Sequence, residues 1–507
     1  MLRPDFANHS PWTRMCCSIE QGYSCLRGTR KKRGTRFLFR RYEACQFGSP
    51  VALGAWESAM KSLLCPCSLV LAITVLVTAF APSGVAQKSG KYKTLTNDQV
   101  REMLNRIEED IKERYYDPTF HGLDLDARFE SARKKIAAAQ SQNEALLDVA
   151  GAVASLNDSH TRFLPPPAPY GVEYGWRMQA IGDSDCYVTE VRSDGDAATK
   201  GLKPGDQVTS ENGVILTRQD LPYIEYGYSV FPQSGLRLVV RSADGTQKTL
   251  VVMAKILPGQ KVIHFDDMMS WRRHYARDFA KDRSRYYVKG AVLFWKLPDF
   301  LLPPVDVERS VGKTHSVANV VLDLRGNPGG SVATLKTLVG GFFAHDVRIG
   351  DRKTRSGSEP QIAKTFVGNS FAGKLIVLID SRSSSAAEVF ARVVQLEKRG
   401  IVLGDRSAGT VTEAQLFQRV FSLSPTATVI YGAEITEAAL VMTDGGTLEN
   451  VGVMPDERIL PNPTDIAEQR DPVLARAAEL AGIQMTAQEA GRIFPFEWPK
   501  EKMPKIE

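Results

Sequence analysis

Apolar residues at Val100, Leu104, Ile107, Ile111 and Tyr115 recur at intervals of three and four, the period of one face of an α-helix. Thr96-Asn97-Asp98-Gln99 ahead of them has the form of a capping box, in which side chains at each end of the first turn satisfy orphan backbone N–H groups. The spacing predicts a helix that stops at Asp117-Pro118. A second is predicted from near Asp126. A third starts at Ser141, where Ser141 and Glu144 repeat the cap and Leu147, Val149, Ala150, Val153 and Leu156 supply the apolar face. The helical period is lost in the loop Asn157-Asp158-Ser159-His160-Thr161. Strand patterns replace it at Tyr187 to Val191, Leu236 to Val240 and Leu250 to Met253. Ala197 to Lys200 can form one helical turn, and Asn212-Gly213 is a hairpin signal. From about residue 285 the pattern changes again. Val317 to Leu324 and Leu375 to Ile379 are nearly unbroken apolar runs, each leading through a turn into a helical stretch (332–343 and 386–398), with Ile401 to Gly404 as a further strand. Strand–turn–helix repetition predicts a layered α/β core on a largely parallel sheet.

These shifts divide the chain into a helical domain over 92–165, a strand-rich module over 168–257, an α/β core over 258–482 and a tail over 483–507. In the module, Gly201-Leu202-Lys203-Pro204-Gly205-Asp206 followed closely by Asn212-Gly213 resembles a PDZ domain. PDZ domains take extended peptides along a sheet edge, which points to Tyr174, Gly175, Trp176 and Arg177 as peptide-binding residues.

Charge changes the picture only at the N-terminus. Residues 1–59 hold ten Lys/Arg against four Asp/Glu, which accounts for the whole net charge of +6, so everything from Met60 onward sums to zero. A nucleic-acid binder would carry its positive charge on the folded surface, so that class is excluded. Lys61, the apolar run from Leu63 to Phe80 and the small triplet Gly84-Val85-Ala86 have the layout of a secretory signal peptide over 60–86, with residues 1–59 a non-native extension. Export to the periplasm or the extracellular space is the expectation, with a membrane anchor through 61–80 if the segment stays uncleaved. Six of the seven cysteines precede Ala86, leaving Cys186 as a buried strand residue and no metal-ligand spacing.

The two strand-to-helix turns are where chemistry is expected. The first N–H groups of a helix have no partners within it and can face a developing anion. Ser381-Arg382-Ser383-Ser384-Ser385-Ala386-Ala387-Glu388 puts hydroxyls at one such turn, and Gly329-Gly330 lets backbone approach closely at the other. A hydroxyl beside two backbone donors suits acyl transfer; by itself, a serine before a helix is simply an N-cap.

Taken in order, Val321 to Gly330, Ser383 to Glu388, Gly404-Asp405-Arg406-Ser407-Ala408-Gly409 and Leu448 to Asp456 resemble the C-terminal processing (tail-specific) peptidases and the related tricorn core. The resemblance covers about residues 92–482. It implies an α+β multidomain chain with a crotonase-like α/β catalytic core behind the helical and PDZ-like domains. It implies a serine endopeptidase acting on protein or peptide substrates near their C-termini, with no cofactor. Ser385 then maps to the nucleophile, and the backbone N–H groups of Gly330 and Ala386 to the oxyanion donors. One position departs: the lysine of the processing branch's Ser–Lys dyad is Thr410 here, and a threonine hydroxyl is no base near neutral pH. In the tricorn branch a Ser-His pair and a Glu take that part, and Ser159, His160 and Glu449 match it. His160 is therefore the expected general base. The other reading of His160 is a helix-end cap, which leaves an inactive, peptide-binding protein; acyl-CoA chemistry on the same core is a third. Asp323 and Arg325 are expected to serve structure around the first turn.

Overall fold

The computed structural model describes residues 95–166, 168, 170–258, 284–424 and 427–498. The stretches expected to be an N-terminal extension (1–59) and a signal peptide (60–86), and all cysteines but Cys186, lie outside the described residues. So do His264, His274 and residues 281–283.

Three helices come first: α1 (Asn97–Arg114), α2 (Leu125–Ala138) and α3 (Gln142–Ala154). The expected caps are in place. Thr96 and Gln99 form the reciprocal box, and Ser141 accepts from the Glu144 N–H. The first helix ends at Arg114, before Asp117-Pro118, because Tyr115 turns to extended backbone and buries its ring completely. Next come β1 (Arg162–Leu164), β2 (Tyr170–Glu173), β3 (Trp176–Ile181), β4 (Asp185–Val191), the short α4 (Asp196–Thr199), β5 (Gln207–Glu211), β6 (Val214–Ile215), α5 (Leu221–Val230), β7 (Gly235–Arg241), β8 (Gln247–Met253) and β9 (Lys255–Pro258). An antiparallel sheet runs β3-β4-β5-β7-β8, with β6 on β5 and β3 at one edge. Asn212 and Gly213 both have positive φ (49° and 88°) in the two-residue turn between β5 and β6, the conformation a tight hairpin demands. Cys186 is buried in β4, and burial pushes its thiol up to about 12.

The remaining elements are β10 (Arg285–Lys289), β11 (Val292–Lys296), α6 (Pro304–Gly312), β12 (Asn319–Asp323), α7 (Val332–Phe342), β13 (Val347–Thr354), β14 (Gly357–Ala363), β15 (Lys374–Ile379), α8 (Ala386–Leu396), β16 (Ile401–Gly404), β17 (Thr412–Ser424), β18 (Ala427–Met442), β19 (Glu457–Arg458), α9 (Pro463–Ala467), α10 (Pro472–Leu480) and α11 (Ala487–Gly491). The central sheet runs β10-β11-β12-β15-β16-β19 and is parallel except for the β10–β11 hairpin. Its apolar strands are buried on both faces, and alternation sorts them. Val320, Leu322, Leu375 and Val377 pack with α6, α7 and α8, while Val321, Ile376 and Leu378 pack with α10 and α11. A second antiparallel sheet, β1-β18-β13-β14 with β17 on β18, has no counterpart in the sequence reading. It ties the first helices to the core, since β1 pairs with β18 and the Tyr116 N–H donates to the Thr436 carbonyl. Among the described residues no helix is long and apolar enough to cross a membrane.

At the end of β12, Asp323 and Arg325 do the structural work expected of them. Asp323 is 1% exposed, and Arg325 bonds both of its oxygens and both oxygens of Asp471, the N-cap of α10. Burial alone would raise the Asp323 carboxyl; Arg325 and Lys296 outweigh it and hold the group well below the usual carboxylate range. Arg325→Ala strands that carboxylate without its main partner. The expected loss of stability is about 3–5 kcal/mol, read from the urea midpoint, and Asp471→Ala should cost less.

Candidate active site

Ser385 caps α8 at the mouth of the β15–α8 turn with φ 55° and ψ −121°, backbone that a residue with a Cβ adopts only where its surroundings hold it. Its own N–H supplies the hold. That group donates to the Thr410 carbonyl at 3.0 Å and to Glu388 Oε2 at 3.0 Å. The Ser383 hydroxyl, by contrast, is committed to the turn: it donates to the Leu324 carbonyl at 2.9 Å and accepts from the Asp380 N–H at 2.9 Å.

Glu388 is fully buried one turn into α8. Besides Ser385 it accepts from Ser407 Oγ at 2.6 Å, the Gly409 N–H at 2.7 Å and the Thr410 N–H at 2.9 Å. Burial pushes its carboxyl up to about 6, with these donors pulling it back. The one carboxylate thus clamps the serine turn to the 407–410 loop. In the sequence Glu388 stands only as the last residue of the serine motif; a Glu at the N3 position of a helix reads locally as half of a capping box.

The second turn interlocks with the first. A Cβ on Gly329 would stand 2.5 Å from Ser385 Cβ and 2.9 Å from the Ala386 nitrogen, so only glycine lets the turns touch. Gly330, at φ 143°, lies as tightly against the Phe300 backbone. Asn327 locks the pair: its Oδ1 accepts from the Gly329 N–H at 2.8 Å and its carbonyl from the Ser384 N–H at 2.9 Å. The N–H groups of Gly330 and Ala386 donate to no protein group among the described residues.

His160 follows α3 and belongs to a chain of three side chains. Its Nδ1 is 2.7 Å from Ser159 Oγ, which is 2.9 Å from Glu449 Oε2; the Ser159 N–H donates to Glu449 Oε1 at 2.8 Å. Ser159 has one hydroxyl proton. With Glu449 ionised that proton goes to the carboxylate, so Ser159 accepts from Nδ1–H and the lone pair of His160 is left on Nε2. Asp158 fixes the loop, its Oδ1 accepting from the N–H groups of His160 and Thr161 and from Thr436 Oγ1. Burial pushes the imidazole below its ordinary value, with Asp158 opposing, and raises the Glu449 carboxyl.

One peptide group joins this chain to the serine. The carbonyl of the 410–411 peptide accepts from the Ser385 N–H, and the N–H of the same peptide donates to Glu449 Oε2 at 2.7 Å. Thr410 contributes mainly backbone. Ser385, Ser159, His160 and Glu449 are thereby brought into one network, and no hydrogen bond joins His160 Nε2 to Ser385 Oγ.

Tyr174, Gly175, Trp176 and Arg177 lie apart from that network, at the start of edge strand β3. The Met178 carbonyl accepts from Arg382 at 2.6 Å and the Ala180 carbonyl from Ser381, while Gln179 donates to Asp380 at 2.8 Å. From Met178 onward the edge is therefore capped by the serine turn itself. The Arg177 guanidinium stacks over the Phe496 ring, 5.0 Å from its centroid.

The family model described as Peptidase family S41 matches residues 295–459, and that of the Tricorn protease C1 domain matches residues 96–149. A Streptomyces coelicolor protein named as tricorn protease homolog 2 is 23% identical over 405 residues, 73% of this chain and 31% of its own length. Carboxyl-terminal-processing peptidase 1, chloroplastic, of Arabidopsis thaliana is 25% identical over 65% of each chain. Carboxy-terminal processing protease CtpB of Bacillus subtilis is 24% identical over 43% of this chain and 42% of its own. The chain thus spans 31% to 65% of the length of these curated relatives. The crystal structure of mature CPAF superposes with a TM-score of 0.55 at 15% identity, covering 73% of this chain and 94% of that one, a likeness of mixed helix-and-sheet fold.

Glu388→Gln turns an acceptor into a partial donor among four donors. The expected cost is about 1–3 kcal/mol for each N–H or O–H left unpaired, seen as a lower melting temperature at neutral pH.

Proposed function

We propose that this chain, a member of peptidase family S41 with a tricorn C1 domain ahead of its core, is a serine endopeptidase that forms an acyl-enzyme on Ser385 with His160 as general base. The observation that carries this reading is the unbroken hydrogen-bond chain from Glu449 through Ser159 to His160 Nδ1, linked to Ser385 through the 410–411 peptide.

His160 Nε2 takes the Ser385 Oγ proton as Oγ attacks the scissile carbonyl. The imidazolium is stabilised through Ser159 by Glu449, the part played by the third member of a triad. The negative oxygen of the tetrahedral intermediate takes hydrogen bonds from the Gly330 and Ala386 N–H groups. As the intermediate collapses, His160 returns the proton to the leaving amine; a water then repeats the sequence and frees the acid. Catalytic hydrogen bonds are often long before substrate binds and close in the complex, which fits the open His160–Ser385 approach. The core reads as crotonase-like, and the sheet from β3 to β8 as a PDZ-like module. Its β3–β4 hairpin faces incoming peptide, and Tyr174 to Arg177 deliver C-terminal tails. Export behind the signal segment completes the reading.

A fluorophosphonate probe should label Ser385 covalently. Labelling should vanish in Ser385→Ala and slow by about 10²–10⁴-fold in His160→Ala. Well-folded protein that takes no label would sink the peptidase and favour the inactive, peptide-binding alternative. Only neutral His160 can accept the proton, so kcat/KM should rise with pH through a midpoint below the ordinary 6.5 of histidine. A pH–rate profile centred above 6.5 contradicts the assignment.

A further inference from the structure

After α11 the chain runs back across the β3–β4 hairpin. Three aromatic residues at alternate positions, Phe494, Phe496 and Trp498, each lie against a different arginine: Arg285 of β10, Arg177 of β3 and Arg192 just past β4. The guanidinium carbons stand 5.4, 5.0 and 4.9 Å from the three ring centroids. Phe496 and Trp498 meet edge to face at 5.1 Å and 89°, and Arg285 also donates to the Pro495 carbonyl at 2.7 Å. Arg192 is held by Glu173 at 2.5 Å. Arg177 pairs across the hairpin with Glu190, and Trp176 with Val191, so Arg177 and Arg192 belong to one stretch of the hairpin.

The contact uses rings and guanidinium planes; no backbone ladder joins residues 494–498 to β3 or β4. Flat cations over aromatic faces are a general recognition pair. Any extended peptide with rings at the same spacing can make it. Strand addition further along β3 is closed off, because the Met178 and Ala180 carbonyls are already taken by Arg382 and Ser381.

The geometry points to Arg177 and Arg192 as a binding site for extended peptides with aromatic side chains at alternate positions, filled in cis by this chain's own residues 494–498. The consequence for catalysis rests on the peptidase reading: a tethered segment at millimolar effective concentration competes with every incoming tail. Substrates with aromatic residues near the C-terminus are then the ones able to displace it.

Binding is measured in a Ser385→Ala chain, so that it is independent of cleavage. The probe is a fluorescent peptide with the sequence of residues 492–498. Phe496→Ala/Trp498→Ala should bind it at least tenfold tighter than the otherwise unchanged chain, and adding Arg192→Ala should abolish the gain. Equal binding with and without the tail rings, or equal binding of a peptide lacking both rings, overturns the site. If the double variant does not fold, Arg192→Lys keeps the charge and removes the plane. Chymotrypsin cleavage after Phe496 should then speed up at least tenfold; an unchanged cleavage rate overturns the proposal. Tenfold tighter binding on loss of the tail rings, with no fluorophosphonate labelling of the unmodified chain, would leave this site standing and remove the peptidase.

Discussion

Taking a carboxylate out of water is costly unless hydrogen-bond donors replace the lost solvent. Glu388 is where this chain meets that cost, with donors from the serine turn and from the 407–410 loop converging on one buried side chain. The same bonds hold Ser385 in left-handed backbone and hold the loop that carries the 410–411 peptide. Everything proposed for the site presupposes that clamp.

The 410–411 peptide adds a second constraint. A trans peptide is planar, and its C=O and N–H point in opposite directions. Ser385 is bound at one edge of that plane and Glu449 at the opposite edge. The serine and the His160 chain are therefore spaced by a rigid covalent unit. At Thr410 it is the backbone that makes these bonds; its hydroxyl makes only a 3.4 Å contact with Glu388.

How much of this could be read from the sequence depended on range. Caps at Thr96 and Ser141, the Asn212-Gly213 turn and the apolar runs of β12 and β15 announce themselves within a few residues, and the structure has them where the pattern puts them. The long β17–β18 hairpin did not. Register shifts between Glu413 and Ala414 and between Ser422 and Ser424 break the two-residue period on which strand reading relies. The serine and histidine were found through motif resemblance. Their linkage was not legible, because Ser159 and Glu449 are 290 residues apart and a backbone peptide has no sequence signature. The aromatic rings at 494–498 read as a tail, since nothing local says that arginines far away in sequence lie against them.

The Arg325–Asp471 pair bears on where this protein can be cut. Arg325 sits just ahead of the glycine turn, while Asp471 opens α10, twelve residues beyond the end of the S41 match at 459. Helices α10 and α11 also cover Val292, Phe294, Val321, Ile376, Leu378 and Leu403 on one face of the central sheet. A fragment ending at the family boundary would leave that apolar face bare to solvent and sticky, with Arg325 at its rim short of one partner. The stretch matched by the family is thus smaller than the apolar cluster it belongs to, which extends through Ala490 of α11.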